Sequence, residues 1–159
     1  MKPETEKMLN AALDRIHYTQ IEAANFGKRG PAALKAWKGL AKAQPCDPMK
    51  RLLKDVVPLA DKLVGKTKQV GKDLDKLQDA GDKPYDYNDG REFRDRNKKL
   101  LVSAEDFDRQ AGLILLRLKS IFGGGLYPGS SGHEIKPAVT YLIGYMDRWK
   151  DLKIAINRI

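Results

Sequence analysis

The sequence contains very little cysteine or histidine, two residue types that are common in metal and catalytic sites. It has one cysteine, Cys46, and two histidines, His17 and His133. A single cysteine excludes an intramolecular disulfide and a cysteine-cluster metal site. Asp14 and His17 have the spacing used by helical di-iron sites, but such a centre needs a second copy of the motif and two further carboxylates. We therefore expect no cofactor, no metal and no enzymatic activity.

Long apolar runs are absent as well. The longest uninterrupted runs have only a few residues, far fewer than the ~20 that span a bilayer. Residues 1–6 lack the apolar core of a secretory signal. The 42% hydrophobic content suits a folded core, and the length of 159 residues suits one domain. We expect a single domain over residues 1–159, without a transmembrane segment, in the cytoplasm.

Two stretches carry residues at alternating spacings of four and three, a pattern typical of long helices that face a partner along one stripe. The turn-rich segment 80–90 separates them and contains no helical periodicity. Together these features predict an antiparallel helical hairpin. The first ladder is Met49, Leu53, Val56, Ala60, Leu63, Thr67, Val70, Leu74 and Leu77, and the second is Phe93, Asn97, Leu100, Ala104, Phe107, Ala111, Ile114, Leu118 and Ile121.

Each ladder contains one position at which the helix could bend or break. Pro58 lies inside the first ladder, where it removes a backbone donor and predicts a kink near residues 53–57. Within the second ladder, Ser103 is followed three residues later by Asp106, a pattern typical of a helix N-terminus. Because the spacing passes through Ser103 without a slip, we expect a continuous second helix to Phe122.

The chain before the hairpin predicts one long helix and one short one. The long helix begins at Pro3, a residue favoured in the first turn, and ends at Gly27 and Gly30. Pro31 then begins a short helix over residues 31–43.

The chain after the hairpin predicts a glycine-rich linker and a last long helix. The linker covers residues 123–132, and a capping box of Ser131 and Glu134 opens the helix that runs to Ile159. No stretch alternates with period two for long enough to form a strand. The expected fold is therefore all-α: an antiparallel bundle of four long helices plus one short basic helix.

Positive charge is distributed unevenly along the chain. The formal net charge is +9, and residues 23–46 contribute five cations and no acidic residue. The five are Lys28, Arg29, Lys35, Lys38 and Lys42. The spacing of the last three places them on one face of the short helix, opposite Leu34 and Trp37.

Three further lysines in the first ladder helix have no acidic residue three or four positions away: Lys62, Lys66 and Lys68. Such unpaired lysines add nothing to helix stability, and like charges four apart cost a few tenths of a kcal/mol, ~0.2–0.5 per pair. We expect them to extend the basic surface.

Clustered cations without carboxylate partners favour contact with a polyanion, and nucleic acid is the first candidate. We expect a non-enzymatic binding or assembly subunit that contacts the phosphate backbone, as a small part of a ribonucleoprotein or DNA-handling complex. The same charges also suit an acidic protein partner. An alternative is a protein–protein adaptor, such as a chaperone or secretion-system component, with an exposed apolar stripe. The candidate residues for that stripe are Leu9, Leu101, Leu113, Leu115 and Leu116.

Overall fold

The computed structural model describes residues 1–127 and 133–159, and within them the fold is all-α, as predicted. The α-helices of this part of the chain are α1 (Pro3–Ala43), α2 (Asp47–Arg51), α3 (Val57–Gly81), α4 (Gly90–Asn97), α5 (Val102–Ile121) and α6 (Ile135–Asn157). A π-helical turn, Leu52–Val56, joins α2 to α3. Two 3₁₀ turns, Pro84–Asp86 and Lys98–Leu101, lie before and after α4. None of the described helices combines the length and apolar character needed to cross a membrane.

Four of the helices, α1, α3, α5 and α6, pack as an antiparallel bundle. Gly30 lies against Val64 and Leu13 lies against Gly81, so α1 and α3 run in opposite directions. The contacts also show that α3 and α5, α5 and α6, and α6 and α1 run in opposite directions. Each helix therefore packs between two neighbours, and the apolar stripes meet in one core.

The first helix is longer than predicted, because Gly27 and Gly30 do not end it. Helix α1 runs without a break through both glycines and Pro31, for 41 residues. A Cβ at Gly27 would lie 2.8 Å from Thr67 Oγ1, and one at Gly30 would overlap Val64 Cγ2. These glycines permit close packing against α3 rather than a change of direction. The prediction of a separate short basic helix over residues 31–43 is therefore wrong.

The predicted irregularity before Pro58 is present as the π turn. The N–H of Val57 donates to the carbonyl of Leu52, five residues back. This longer turn rotates the preceding side chains relative to a regular helix. Leu52 is consequently fully buried, whereas the ladder residue Leu53 is 41% exposed. The prediction that Leu53 lies in the core is therefore wrong, and its neighbour Leu52 lies there instead.

The second ladder forms two helices rather than the continuous helix predicted to Phe122. Helix α4 ends at Asn97, whose side-chain amide donates to the carbonyl of Phe93 (2.8 Å) and to the Tyr87 hydroxyl (3.1 Å). A side chain that bonds the backbone in this way competes with the regular helix. The chain then tightens into the 3₁₀ turn before α5, in which the ladder residue Leu100 is partly buried against the core.

The last helix begins at Ile135, and Glu134 precedes it without a side-chain cap. Ser131, the other half of the predicted capping box, lies outside the described residues.

Candidate polyanion-binding surface

The unbroken course of α1 places four of the predicted lysines on one face. Lys28, Lys35 and Lys42 are seven residues apart, and Lys38 falls between the last two. Since seven residues make nearly two helical turns, these side chains point in nearly the same direction, along one stripe of about 21 Å. All four are exposed, and none forms an ion pair within the described residues. We call Lys28, Lys35, Lys38 and Lys42 the basic stripe.

Arg29 does not belong to the basic stripe. It is exposed, but it follows Lys28 directly and so points about 100° around the helix from it. The structure therefore divides the five predicted cations of residues 23–46 into a set of four and one outlier.

A groove between α1 and α3 brings Lys68 together with Lys28. Both lysines line it, and its volume is about 630 Å³. The walls are otherwise built from small residues and one valine: Ala24, Gly27, Val64, Gly65, Thr67 and Gly71. A Cβ at Gly65 or at Gly71 would meet nothing within 4 Å, so the α3 wall is open to solvent. We call this space the α1–α3 groove.

The other two predicted lysines of α3, Lys62 and Lys66, do not line that groove. Lys66 Nζ donates to Asp106 Oδ2 on α5 at 2.9 Å, so the prediction that Lys66 lacks a partner is wrong. The partner was not visible in the sequence because it is 40 residues away. Lys62 lines a separate cleft of about 240 Å³ beside Asp55 and Arg117. The eight predicted cations therefore do not form one continuous surface.

A second cavity, which the sequence did not indicate, lies between the Lys98–Leu101 turn, the start of α5 and the end of α6. Its volume is about 640 Å³. Glu105 is central to it: one carboxylate oxygen accepts from the Trp149 indole at 2.6 Å and the other from Lys153 Nζ at 2.9 Å. The Lys153 hydrogen bond, with that of Trp149, lowers the pKa of Glu105 against the opposing effect of burial. We call this cavity the α5–α6 pocket.

Tyr145 on α6 makes a buried contact with α5. Its hydroxyl donates to the carbonyl of Ala104 at 2.8 Å, and its ring packs on Phe107. Burial raises the pKa of the Tyr145 hydroxyl, so this group remains a hydrogen-bond donor at all ordinary pH values.

The apolar stripe considered for an adaptor is only partly present. Leu9 is fully buried, so its inclusion in an exposed patch is wrong. Leu101 and Leu115 are partly buried against the core. Leu113 and Leu116, three residues apart on α5, are 38% and 65% exposed.

The side chains with metal-binding potential are dispersed. Cys46, Asp14, His17 and His133 are all exposed. In the part of the chain that the structure describes, no group of three or more His, Cys, Asp or Glu residues is placed to hold a metal ion. Comparisons of the chain with protein-family models, curated proteins and solved structures found no match. Function is therefore inferred from the shape and charge of the surfaces.

Proposed function

We propose that this protein is a non-enzymatic binding subunit that contacts the phosphate backbone of nucleic acid through the basic stripe and Lys68. The observation that carries the proposal is the alignment of four exposed lysines along α1, within residues 23–46, a segment that contains no Asp or Glu. Along a duplex axis the phosphates of one strand rise by about 3.4 Å each while the strand winds around the axis, so a straight stripe of about 21 Å spans about six of these steps.

The α1–α3 groove supports the same role. Lys28 and Lys68 stand on its two helices, so a phosphate chain that follows the groove meets cations on both sides. The small residues between them let a backbone approach closely. Lysines of this kind act as point charges and carry little sequence information. The proposal is therefore for sequence-tolerant binding, as part of a ribonucleoprotein or DNA-handling assembly.

The test compares a stripe variant with a matched control. The stripe variant is Lys35→Ala, Lys38→Ala and Lys42→Ala. The control is Lys119→Ala, Lys136→Ala and Lys150→Ala, three exposed lysines of α5 and α6 that form no ion pair among the described residues. Both variants have the same net charge, so a difference between them reports position and not total charge.

Fluorescence anisotropy with a labelled 20-nucleotide RNA, and with a DNA duplex of equal length, measures the dissociation constant at one fixed salt concentration. We expect the stripe variant to bind at least tenfold more weakly than the control. Equal losses in the two variants would mean that the protein binds through its net charge alone. Binding of polyglutamate as tightly as RNA or DNA would instead indicate an acidic protein partner.

A further inference from the structure

The α5–α6 pocket has the dimensions of a small-molecule site. Its volume of about 640 Å³ falls within the range of about 300–1,000 Å³ that such sites occupy. It lies on the α5 side of α3, since Asp73 lines it, whereas the α1–α3 groove lies on the α1 side. It is therefore separate from the surface proposed to contact nucleic acid.

The pocket has an apolar wall formed by Leu101, Val102, Trp149 and Ile156 among polar lining residues. Val102 is 64% exposed at the first turn of α5, and Leu101 beside it is partly buried. Trp149 lines the same space and is 3% exposed, and its indole is held in place by the hydrogen bond to Glu105. The exposed Val102 side chain therefore gives a ligand apolar surface to contact, and the nearly buried indole of Trp149 contributes a small, fixed part of the lining.

The acidic side chains of the pocket are already engaged within the protein. Asp73 accepts a hydrogen bond from Ser103 at 2.7 Å, and Asp106 accepts from Lys66 and Arg109. Glu105 accepts from Trp149 and Lys153, as described above. Glu105 and Asp106 thus each have a cation beside them, whereas Asp73 has the Ser103 hydroxyl and the Gln69 amide.

Two cations at the rim have no such partner. Lys98 and Lys99 are exposed, line the pocket and form no ion pair within residues 1–127 and 133–159. They belong to the 3₁₀ turn that also supplies Leu101, so the turn places uncompensated charge directly beside the apolar wall. A ligand that satisfies both features carries a negative head and an apolar body.

We propose that the α5–α6 pocket binds a small amphipathic carboxylate, with its apolar chain against Val102 and Trp149 and its carboxylate at Lys98 and Lys99. An uncharged apolar molecule leaves the two lysines unused. A small anion without a chain leaves the apolar wall exposed to water. The combination of both contacts distinguishes the proposed ligand from either alternative.

The test uses decanoate below the concentration at which it forms micelles, with decanol and acetate as comparison ligands. Calorimetric titration of the full chain gives affinity and stoichiometry, and amide chemical-shift changes locate the site. We expect one decanoate per chain, bound at least tenfold more tightly than decanol or acetate, with the largest shifts at residues 98–103 and at the Trp149 indole. Failure to saturate, shifts elsewhere, or equal affinity for decanol or acetate would overturn the proposal.

Two variants connect the binding to the named residues. Lys98→Ala with Lys99→Ala is expected to weaken decanoate binding about tenfold, while the control pair Lys119→Ala with Lys136→Ala leaves it unchanged. Val102→Glu, at an exposed position that tolerates a polar side chain, places a negative charge on the apolar wall and is expected to abolish binding. Retention of full affinity in either pocket variant would show that decanoate binds elsewhere. RNA affinity is measured on the same variants, so that failure of the carboxylate proposal can be distinguished from failure of the nucleic-acid proposal.

Discussion

Lys66 Nζ lies 2.9 Å from Asp106 Oδ2 and connects α3 to α5. The same carboxylate accepts a hydrogen bond from Arg109. The bond from Lys66, followed by the weaker contribution of Arg109, lowers the pKa of Asp106 although burial opposes the shift. Lys66 therefore acts within the fold, whereas Lys68, two residues further along α3, lines the α1–α3 groove.

This division predicts different phenotypes for two neighbouring lysines. Lys68→Ala is expected to weaken RNA binding several-fold without changing stability. Lys66→Ala is expected to leave RNA binding nearly unchanged and to lower the free energy of unfolding by about 0.5 kcal/mol, the usual magnitude for a partly exposed ion pair. Anisotropy and urea unfolding measure the two quantities. A larger loss of RNA affinity in Lys66→Ala than in Lys68→Ala would contradict the assignment.

The close contact of α1 with α3 predicts that Gly30→Ala destabilises the protein. The added Cβ would overlap Val64 Cγ2, and a β-branched side chain on a helix has little freedom to move away. We expect a loss of about 1–3 kcal/mol, typical of overpacking in a core. Urea denaturation monitored by circular dichroism measures it.

Gly39→Ala is the matched control for that change. Gly39 lies in the same helix, and a Cβ there would meet nothing within 4 Å. The substitution is expected to stabilise the protein by about 0.5–1 kcal/mol, because alanine is the better helix former. Stabilisation by both substitutions would mean that α1 and α3 are not in close contact at Gly30.

The buried hydroxyl of Tyr145 predicts a measurable cost for its removal. Tyr145→Phe loses the hydrogen bond to the carbonyl of Ala104, while that carbonyl keeps its place in the backbone hydrogen bonding of α5. We expect the free energy of unfolding to fall by about 0.5–1.5 kcal/mol, the net contribution of a typical hydrogen bond. Tyr141→Phe, on the same helix, is the control, since the Tyr141 hydroxyl makes no hydrogen bond within the described residues. Similar unfolding midpoints for the two variants would contradict this role of Tyr145.

The lowered pKa of Glu105 predicts the direction of one pH dependence. A carboxyl whose pKa is lower in the folded state stabilises the fold above its ordinary value of 4.5, and this stabilisation is lost as the pH falls through the lower folded-state value. Glu105→Gln removes the charge that Lys153 contacts. The variant is expected to be less stable than the unaltered protein at neutral pH, with a difference that shrinks below pH 4.5. A stability difference that grows as the pH falls would contradict a lowered pKa of Glu105 in the folded state.

The fold was largely predictable because helical periodicity depends on local sequence. The spacings of three and four recovered most of the buried faces of both ladders, with Leu53 as the exception, and Pro58 marked the site of the π turn. The break of the second ladder follows from a local hydrogen bond of Asn97, whereas the error over the first helix involves long-range contacts. Gly27 and Gly30 are residues typical of a helix end, but here they lie against Thr67 and Val64 of α3, where a larger side chain would not fit.

The candidate sites were less accessible to sequence reasoning for the same reason. Lysines on one helix were aligned correctly from their spacing, but the partner of Lys66 lies on another helix. The α5–α6 pocket depends on contacts such as that between Glu105 and Trp149, which are 44 residues apart. No local sequence pattern predicts such a pair, because the two residues lie on different helices.

The salt dependence of RNA and DNA binding by the unaltered protein is the most direct measurement of the proposed role. Five lysine–phosphate contacts predict that log affinity falls with log salt concentration with a slope of about −3.5 on single strands and about −4.5 on duplex DNA. Anisotropy titrations between about 50 and 200 mM salt give this slope. A slope near those values supports contact through the basic stripe and Lys68. Weak binding with a slope near zero would contradict it.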